Sequence, residues 1–191
     1  MAGNHMYVLS WYGPFQNVQE LKEWEDKKGN DTYLYIIRGM KKNKQKLVTY
    51  YCGKAIKQSV GKRQNNSGHH IKELESRPEK LKIWVAKFKN TTPKNADVNI
   101  VEKMFISYIA QCMIGKNEEI ANENNLLAPN SEVYIINEWW DANIEEIETY
   151  PRGSLYSRIP DVIAYYPDDR DRHIGSVYTS SKLTCRKEVE R

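Results

Sequence analysis

Two short runs of aromatic and β-branched residues, separated by a basic segment, constrain the fold of this chain most strongly. Residues 33–38 read YLYIIR and residues 47–52 read LVTYYC. Residues of these types favour strands. The segment between them begins with Gly39 and carries four lysines before the second run. The sequence therefore predicts a β-hairpin with a long basic loop.

Further elements follow from caps, breakers and periodicity. Residues 100–112 have apolar side chains at helical spacing after Asp97, which predicts the strongest helix of the chain, ending at Gly115. The other predictions are a helix at 18–28 capped by Asn17, short helices at 55–63 and 69–76, strands at 81–88 and 133–136, and a late hairpin from 160–166 and 176–178.

Composition is that of a folded protein with a mild preference for anionic partners. Hydrophobic residues make up 40% of the 191 residues, charged residues 28%, and the net charge is +4. Three cysteines lie far apart, which favours a reduced, intracellular and cytoplasmic protein. No run approaches the ~18 apolar residues of a membrane helix, so no membrane partner is expected.

The chain divides into three parts in this interpretation. Residues 1–30 form an N-terminal extension with a helix, residues 31–130 the core, and residues 131–191 a C-terminal elaboration of the same domain. The opening MAGNHM is interpreted as an appended remnant, with Met6 as the natural start. It contributes nothing to the predicted fold.

Chemically capable side chains fall on these elements in a defined order. Tyr33-Leu34-Tyr35 lies on the first strand, Tyr51-Cys52-Gly53 ends the second, Arg63 follows on the short helix, and Glu102 lies on the long helix. In this order the chain resembles the GIY-YIG nuclease family, over about residues 33–122. Tyr33 replaces the first glycine of the family pattern, Cys52 replaces an aliphatic residue, and the segment from Gly53 to Arg63 is longer than in the excision-repair members.

The resemblance implies a fold, an activity and a site. The fold would be of the α/β (α+β) class, a small and mainly antiparallel central sheet flanked by helices. The activity would be endonucleolytic hydrolysis of DNA, duplex more than single strand or RNA, in a stand-alone restriction-type or phage-type enzyme that requires Mg²⁺ or Mn²⁺. A homodimer would suit such an enzyme, because each site cuts one strand.

The resemblance also assigns roles to residues. Tyr35 would be the base and Tyr51 the orienting group, while Arg63 would contact phosphate and Glu102 would bind the metal. The family's late asparagine is placed at Asn117, with Asn122 and Asn124 as alternatives, and His70, next to His69, is a further catalytic candidate.

These residue types suit phosphodiester hydrolysis. A divalent cation lowers the pKa of a bound water, and one carboxylate such as Glu102 plus waters is a usual arrangement for Mg²⁺. The guanidinium of Arg63 matches phosphate oxygens. A tyrosine with a pKa of about 10 is a poor base at neutral pH, so nearby cations would have to lower that pKa.

Lysines around the hairpin are predicted to contact nucleic acid. They are Lys41, Lys42, Lys44, Lys54, Lys57 and Lys62. The alternative is an ordinary solvated hairpin tip.

Other interpretations remain open for the whole chain. Tyr35 and Tyr51 could be strand aromatics, Arg63 a helix-end charge, and Glu102 a surface acid beside the core. The principal alternative is a non-catalytic nucleic-acid-binding module on a nuclease-like scaffold. A structural or protein-interaction domain is the third.

Overall fold

The structure is a computed structural model and describes residues 4–29, 31, 33–41, 47–56, 58–65, 74, 81–140, 158–167 and 175–180. Its strands are β1 (His5–Phe15), β2 (Leu34–Met40), β3 (Val48–Lys54), β4 (Lys82–Phe88), β5 (Glu118–Ile120), β6 (Val133–Trp140), β7 (Val162–Pro167) and β8 (Gly175–Ser180). Its helices are α1 (Val18–Lys28), α2 (Val60–Asn65) and α3 (Asn95–Tyr108), which continues as a π-helical turn, Ile109–Met113.

All eight strands join one mixed sheet in the order β5-β3-β2-β4-β1-β6-β7-β8. Two neighbouring pairs, β1 with β6 and β3 with β5, are parallel, and the other pairs are antiparallel. The α+β class is therefore as predicted, but the sheet is mixed and larger than the small, mainly antiparallel sheet expected. The sheet is larger than expected because β1 lies between β4 and β6 and so joins strands β2–β5 to strands β6–β8.

The predicted hairpin is present as β2 and β3. Tyr35 pairs with Gly53 and Ile37 with Tyr51. The third predicted strand, β4, pairs on the other side of β2. These three antiparallel strands carry the candidate site.

Each face of this part of the sheet packs against different helices. Side chains at even positions of β2 and β3, such as Ile36 and Cys52, pack in one buried cluster with Phe105 of α3. Side chains at odd positions, such as Tyr35, pack in a second cluster with Leu21 of α1 and Val60 of α2. Strand side chains alternate between faces, so neighbouring residues of β3 face different helices.

The strand β1 is the largest departure from the predicted elements. It begins at His5, inside the segment interpreted as an appended remnant. Leu9 and Trp11 are fully buried, whereas Met6 is exposed, so β1 enters the core after the opening six residues. Its aromatic and β-branched residues favour a strand, but its two partners lie far away in the sequence.

The helices differ from prediction mainly at their ends. The α1 helix has the predicted bounds, and the Asn17 side chain accepts a hydrogen bond from the Glu20 N–H at 2.8 Å. The α2 helix begins at Val60 rather than Ala55. The helix expected at 69–76 lies outside the described residues except for Leu74, which is buried and forms an isolated bridge with Lys41. Within the described part of the chain, every helix is too short or too polar to span a bilayer.

Candidate active site

The end of β3, residues 51–54, is the scaffold of the candidate site. Tyr51 faces the α1 and α2 side of the sheet, whereas Cys52 packs on the α3 side. Lys54 contacts α3 through Glu102. Side chains that lie on both faces of the sheet therefore contact residues 51–54.

Tyr35 lies directly over Gly53. A Cβ atom placed on Gly53 would be 2.5 Å from both Cζ and Oη of Tyr35, closer than any van der Waals contact allows. The tyrosine is fully buried, and its Oη has no hydrogen-bond partner among the described residues. A hydroxyl enclosed in this way does not suit a base that must reach a solvent molecule.

Tyr51 packs beside Tyr35, with ring centroids 5.9 Å apart and planes inclined by 36°. Its side chain is half-buried. Burial, followed by the neighbouring Tyr35, raises the pKa of the Tyr51 phenol above its usual value, and Arg63 offsets this only in part. Tyr51 is therefore a neutral phenol at neutral pH, which is the opposite of the lowered tyrosine pKa that a base would require.

Arg63 approaches the same face from α2. Its backbone N–H donates to the Ser59 carbonyl at 3.1 Å, and its charge acts on Tyr51. The guanidinium Nε is buried without a partner among the described residues. Tyr35, Tyr51 and Arg63 thus lie on the same face of the sheet.

Glu102 lies on the other face of the sheet. It is 7% exposed, and its Oε2 accepts a hydrogen bond from Lys54 Nζ at 2.6 Å. The carboxylate also raises the pKa of the Cys52 thiol, although burial is the larger cause. The four residues to which the resemblance assigns roles therefore do not share one face, because the carboxylate and the phenols adjoin residues 51–54 from opposite sides.

The Asn122 side chain forms hydrogen bonds with the backbone of Cys52, at the edge of β3. Its side-chain oxygen accepts from the Cys52 N–H at 2.9 Å, and its amide donates to the Cys52 carbonyl at 2.7 Å. Asn117 instead accepts through its backbone carbonyl from Val48, at the opposite end of β3. Of the asparagines left open by the sequence, Asn122 is the one that contacts the candidate site.

Of the three described lysines that were predicted to contact nucleic acid, two form ion pairs with carboxylates of the protein itself. Lys41 forms an ion pair with Glu119 at 2.7 Å, and Lys54 pairs with Glu102. Lys62 is exposed. The remaining predicted residues, Lys42, Lys44, Lys57 and His70, lie outside the described residues, as does His69.

A divalent cation has one candidate ligand at this strand end. The described residues contain no group of three or more histidine, cysteine, aspartate or glutamate side chains that could hold a metal. Glu102 supplies one carboxylate, and Mg²⁺ commonly binds through one or two carboxylates while keeping several waters. Its chemistry fits that arrangement, with Lys54 as a competitor for the same oxygens.

Sequence reasoning missed two contacts that organise the site. The Lys54–Glu102 pair joins residues on β3 and α3, and the Asn122 contact joins β3 to the segment after β5. Neither has a local signal, because both depend on how distant segments pack. The sequence did single out Lys54 and Asn122 as candidates on the family pattern.

Known proteins provide no independent assignment for this arrangement: no protein-family profile, curated protein or solved structure matches the chain significantly.

Proposed function

We propose that this chain is a metal-dependent endonuclease that hydrolyses phosphodiester bonds in duplex DNA. One observation carries the proposal. Tyr51 lies in the last four residues of β3, and Tyr35, Arg63 and Glu102, from three other elements, adjoin that segment. A restriction-type or phage-type role is the corresponding biological proposal.

Within this proposal the cationic side chains bind the phosphate. Arg63 presents a planar fork that suits two phosphate oxygens, and Lys54 supplies a second positive charge 2.6 Å from Glu102. Phosphate must compete with Glu102 for Lys54, so binding releases the carboxylate. Glu102 would then hold the cation, which when bound stabilises charge on the phosphoryl oxygens and activates a water.

The two tyrosines take different roles. Tyr51, a neutral phenol beside Arg63, donates a hydrogen bond that orients the phosphate or its attacking water. Tyr35 is enclosed over Gly53 and supports the Tyr51 ring. This replaces the base role that the family resemblance gave to Tyr35.

The arrangement sets a requirement on substrate approach. Glu102 and the phenols lie on opposite faces of the sheet, so the scissile phosphate must approach at the end of β3, beside the partly exposed Lys54. Binding at this end, rather than over either face, would bring Tyr51 and Lys54 to the same group.

Plasmid nicking tests the proposal. Wild type should nick supercoiled DNA with Mg²⁺ and not with chelator, and Tyr51→Phe, Arg63→Ala and Glu102→Gln should each lower the rate about 100-fold, as loss of a positioned group does. Tyr178→Phe and Glu123→Gln, which change exposed residues elsewhere, serve as matched controls. Absence of Mg²⁺-dependent nicking by wild type, or site variants as active as the controls, would overturn the proposal.

A non-catalytic nucleic-acid-binding module is the second candidate. The Lys54–Glu102 ion pair and the enclosed Tyr35 agree with it, because neither needs a metal ion or a catalytic role to explain it. A binder would show salt-dependent affinity for duplex DNA without cleavage, and Glu102→Gln would not weaken that affinity.

A further inference from the structure

The Glu25 side chain on α1 accepts hydrogen bonds from the backbone at the start of α2. Its Oε1 accepts a hydrogen bond from the Val60 N–H at 2.9 Å, and its Oε2 accepts one from the Gly61 N–H at 2.8 Å. The carboxylate is only 1% exposed. A buried carboxylate is costly unless it is hydrogen-bonded, and the first N–H groups of a helix are favourable partners for an anion.

Gly61 is the residue that permits this close contact. A Cβ placed there would lie 2.8 Å from Glu25 Oε2 and 2.6 Å from Lys22 Cγ. Any side chain would push α2 away from α1. The glycine that weakens the helical propensity of α2 therefore also allows α1 to hold it.

The α1 helix is itself firmly attached to the sheet. Leu21 is fully buried in the cluster that contains Tyr35, and Trp24 packs against Tyr12 and Phe15 of β1. Lys87 Nζ of β4 donates to the Lys28 carbonyl at 2.9 Å at the end of α1. Glu25 is thus a fixed point relative to β2 and β3.

The α2 helix depends on such contacts for its position, and Val60 is also fully buried in the cluster that contains Tyr35 and Leu21. It has six residues, well below the ~12–15 at which isolated helices become marginally stable. Arg63 lies about one turn after Val60, so a displacement of the helix start displaces the guanidinium. The buried Nε of Arg63 leaves little room for such a shift.

We propose that Glu25 is a positioning residue for Arg63, so that α1 is part of the support of the site rather than an accessory extension. The inference rests on the proposed function for its catalytic consequence. The structural step, from Glu25 through the Val60 and Gly61 amides to Arg63, stands independently of that function.

The catalytic consequence is tested by Glu25→Gln. This substitution keeps the shape of the side chain, but it replaces one acceptor oxygen with an NH₂ group that faces a backbone N–H and cannot accept its hydrogen bond. We expect kcat for nicking to fall about ten- to hundredfold, because small displacements of a positioned group have effects of this size. Glu23→Gln, on the exposed side of the same helix, should leave kcat unchanged. In an Arg63→Ala background, Glu25→Gln should cause no further loss, because its effect passes through Arg63.

The structural step is tested by NMR on the same variants. Glu25→Gln should shift the side-chain Nε–H resonance of Arg63, together with the Val60 and Gly61 amides, while those of Arg38 and Arg158 stay in place. If wild type does not nick DNA but the Arg63 resonance shifts, the positioning inference holds and the nuclease proposal fails. An unchanged Arg63 resonance, or equal losses of kcat with and without Arg63, would overturn the inference.

Discussion

At the scale of single residues, Gly53 has a packing role in the structure that its sequence context did not indicate. The sequence indicated a strand breaker, but Gly53 lies inside β3 and pairs with Tyr35. Its missing side chain provides the space occupied by the Tyr35 ring. The glycine and the tyrosine are therefore a matched pair across two strands.

Gly53→Ala should destabilise the protein because the new methyl group overlaps the Tyr35 ring. Forcing an extra carbon into a packed site typically costs about 1–3 kcal/mol. Urea denaturation measures the change in the free energy of unfolding. Gly115→Ala is the control, since a Cβ there would meet only Glu118 Oε2 at 3.3 Å. Equal effects of the two substitutions would contradict the packing of Tyr35 over Gly53.

The ionisation of Tyr51 gives a second prediction at this scale. Since burial raises its pKa, its phenol should ionise at a higher pH than an ordinary tyrosine, which ionises near pH 10. The ¹³Cζ resonance of Tyr51, assigned with Tyr51→Phe, reports the titration. A midpoint at or below the ordinary value would show that Arg63 outweighs burial and would restore Tyr51 as a candidate base.

At the scale of elements, the sequence predicted what local patterns determine. Residues 33–38 and 47–52 were recognisable as a hairpin, and α1 was recognisable from Asn17 and Gly29. The late hairpin was also correct, as β7 and β8. The sequence could not reveal β5 or the place of β1, because their partners are distant, nor the start of α2, which follows from contact with Glu25.

The edge of β3 supports a prediction about Asn122. Asn122→Asp removes the donor and places a carboxylate oxygen against the Cys52 carbonyl, which now lies 2.7 Å from the amide nitrogen. An unsatisfied buried partner costs about 1–3 kcal/mol, so the variant should be destabilised at neutral pH. The new carboxyl should have a raised pKa in the folded state, so stability should recover as the pH falls and protonation restores a donor.

Urea denaturation at neutral pH and at about pH 4, near the ordinary carboxyl pKa, measures this recovery. Asn124→Asp, in the exposed loop nearby, is the matched control. Loss of stability that does not lessen on acidification would mean that the Asn122 donor is unimportant.

At the scale of the whole molecule, one cluster of polar side chains ties the C-terminal part to the layer that contains α3. Arg158 donates to both oxygens of Glu118 on β5, to Tyr50 Oη at 3.1 Å, and to the Met113 carbonyl at 2.8 Å. Its guanidinium lies 5.7 Å from the Tyr50 ring centroid. A residue from the C-terminal part of the chain therefore braces β3, the strand that carries the candidate site.

This cluster predicts a specific pH dependence of stability. Hydrogen bonds from Arg158 hold the pKa of Glu118 below its ordinary value. A lowered folded-state pKa stabilises the fold above the unfolded-state pKa, near 4.5, and that contribution is lost as the pH falls towards the folded-state pKa. Arg158→Met should therefore be less stable than wild type near neutral pH and lose less further stability on acidification.

Chemical denaturation from neutral to acid pH measures this difference. Lys89→Met, which removes the ion pair of Lys89 with Glu138 at the other side of the sheet, serves as the control. If the free energy of unfolding falls equally with decreasing pH in wild type and in Arg158→Met, Glu118 is not the source of this pH dependence.

The central place of β1 also determines the order in which the molecule can be completed during synthesis. His5 pairs with Val133, so β1 must wait until β6 has been synthesised before its second neighbour exists. Pairings between distant segments form slowly. One edge of β1 therefore stays unpaired in the nascent protein until β6 has been synthesised, and this interval is when chaperone binding should matter most.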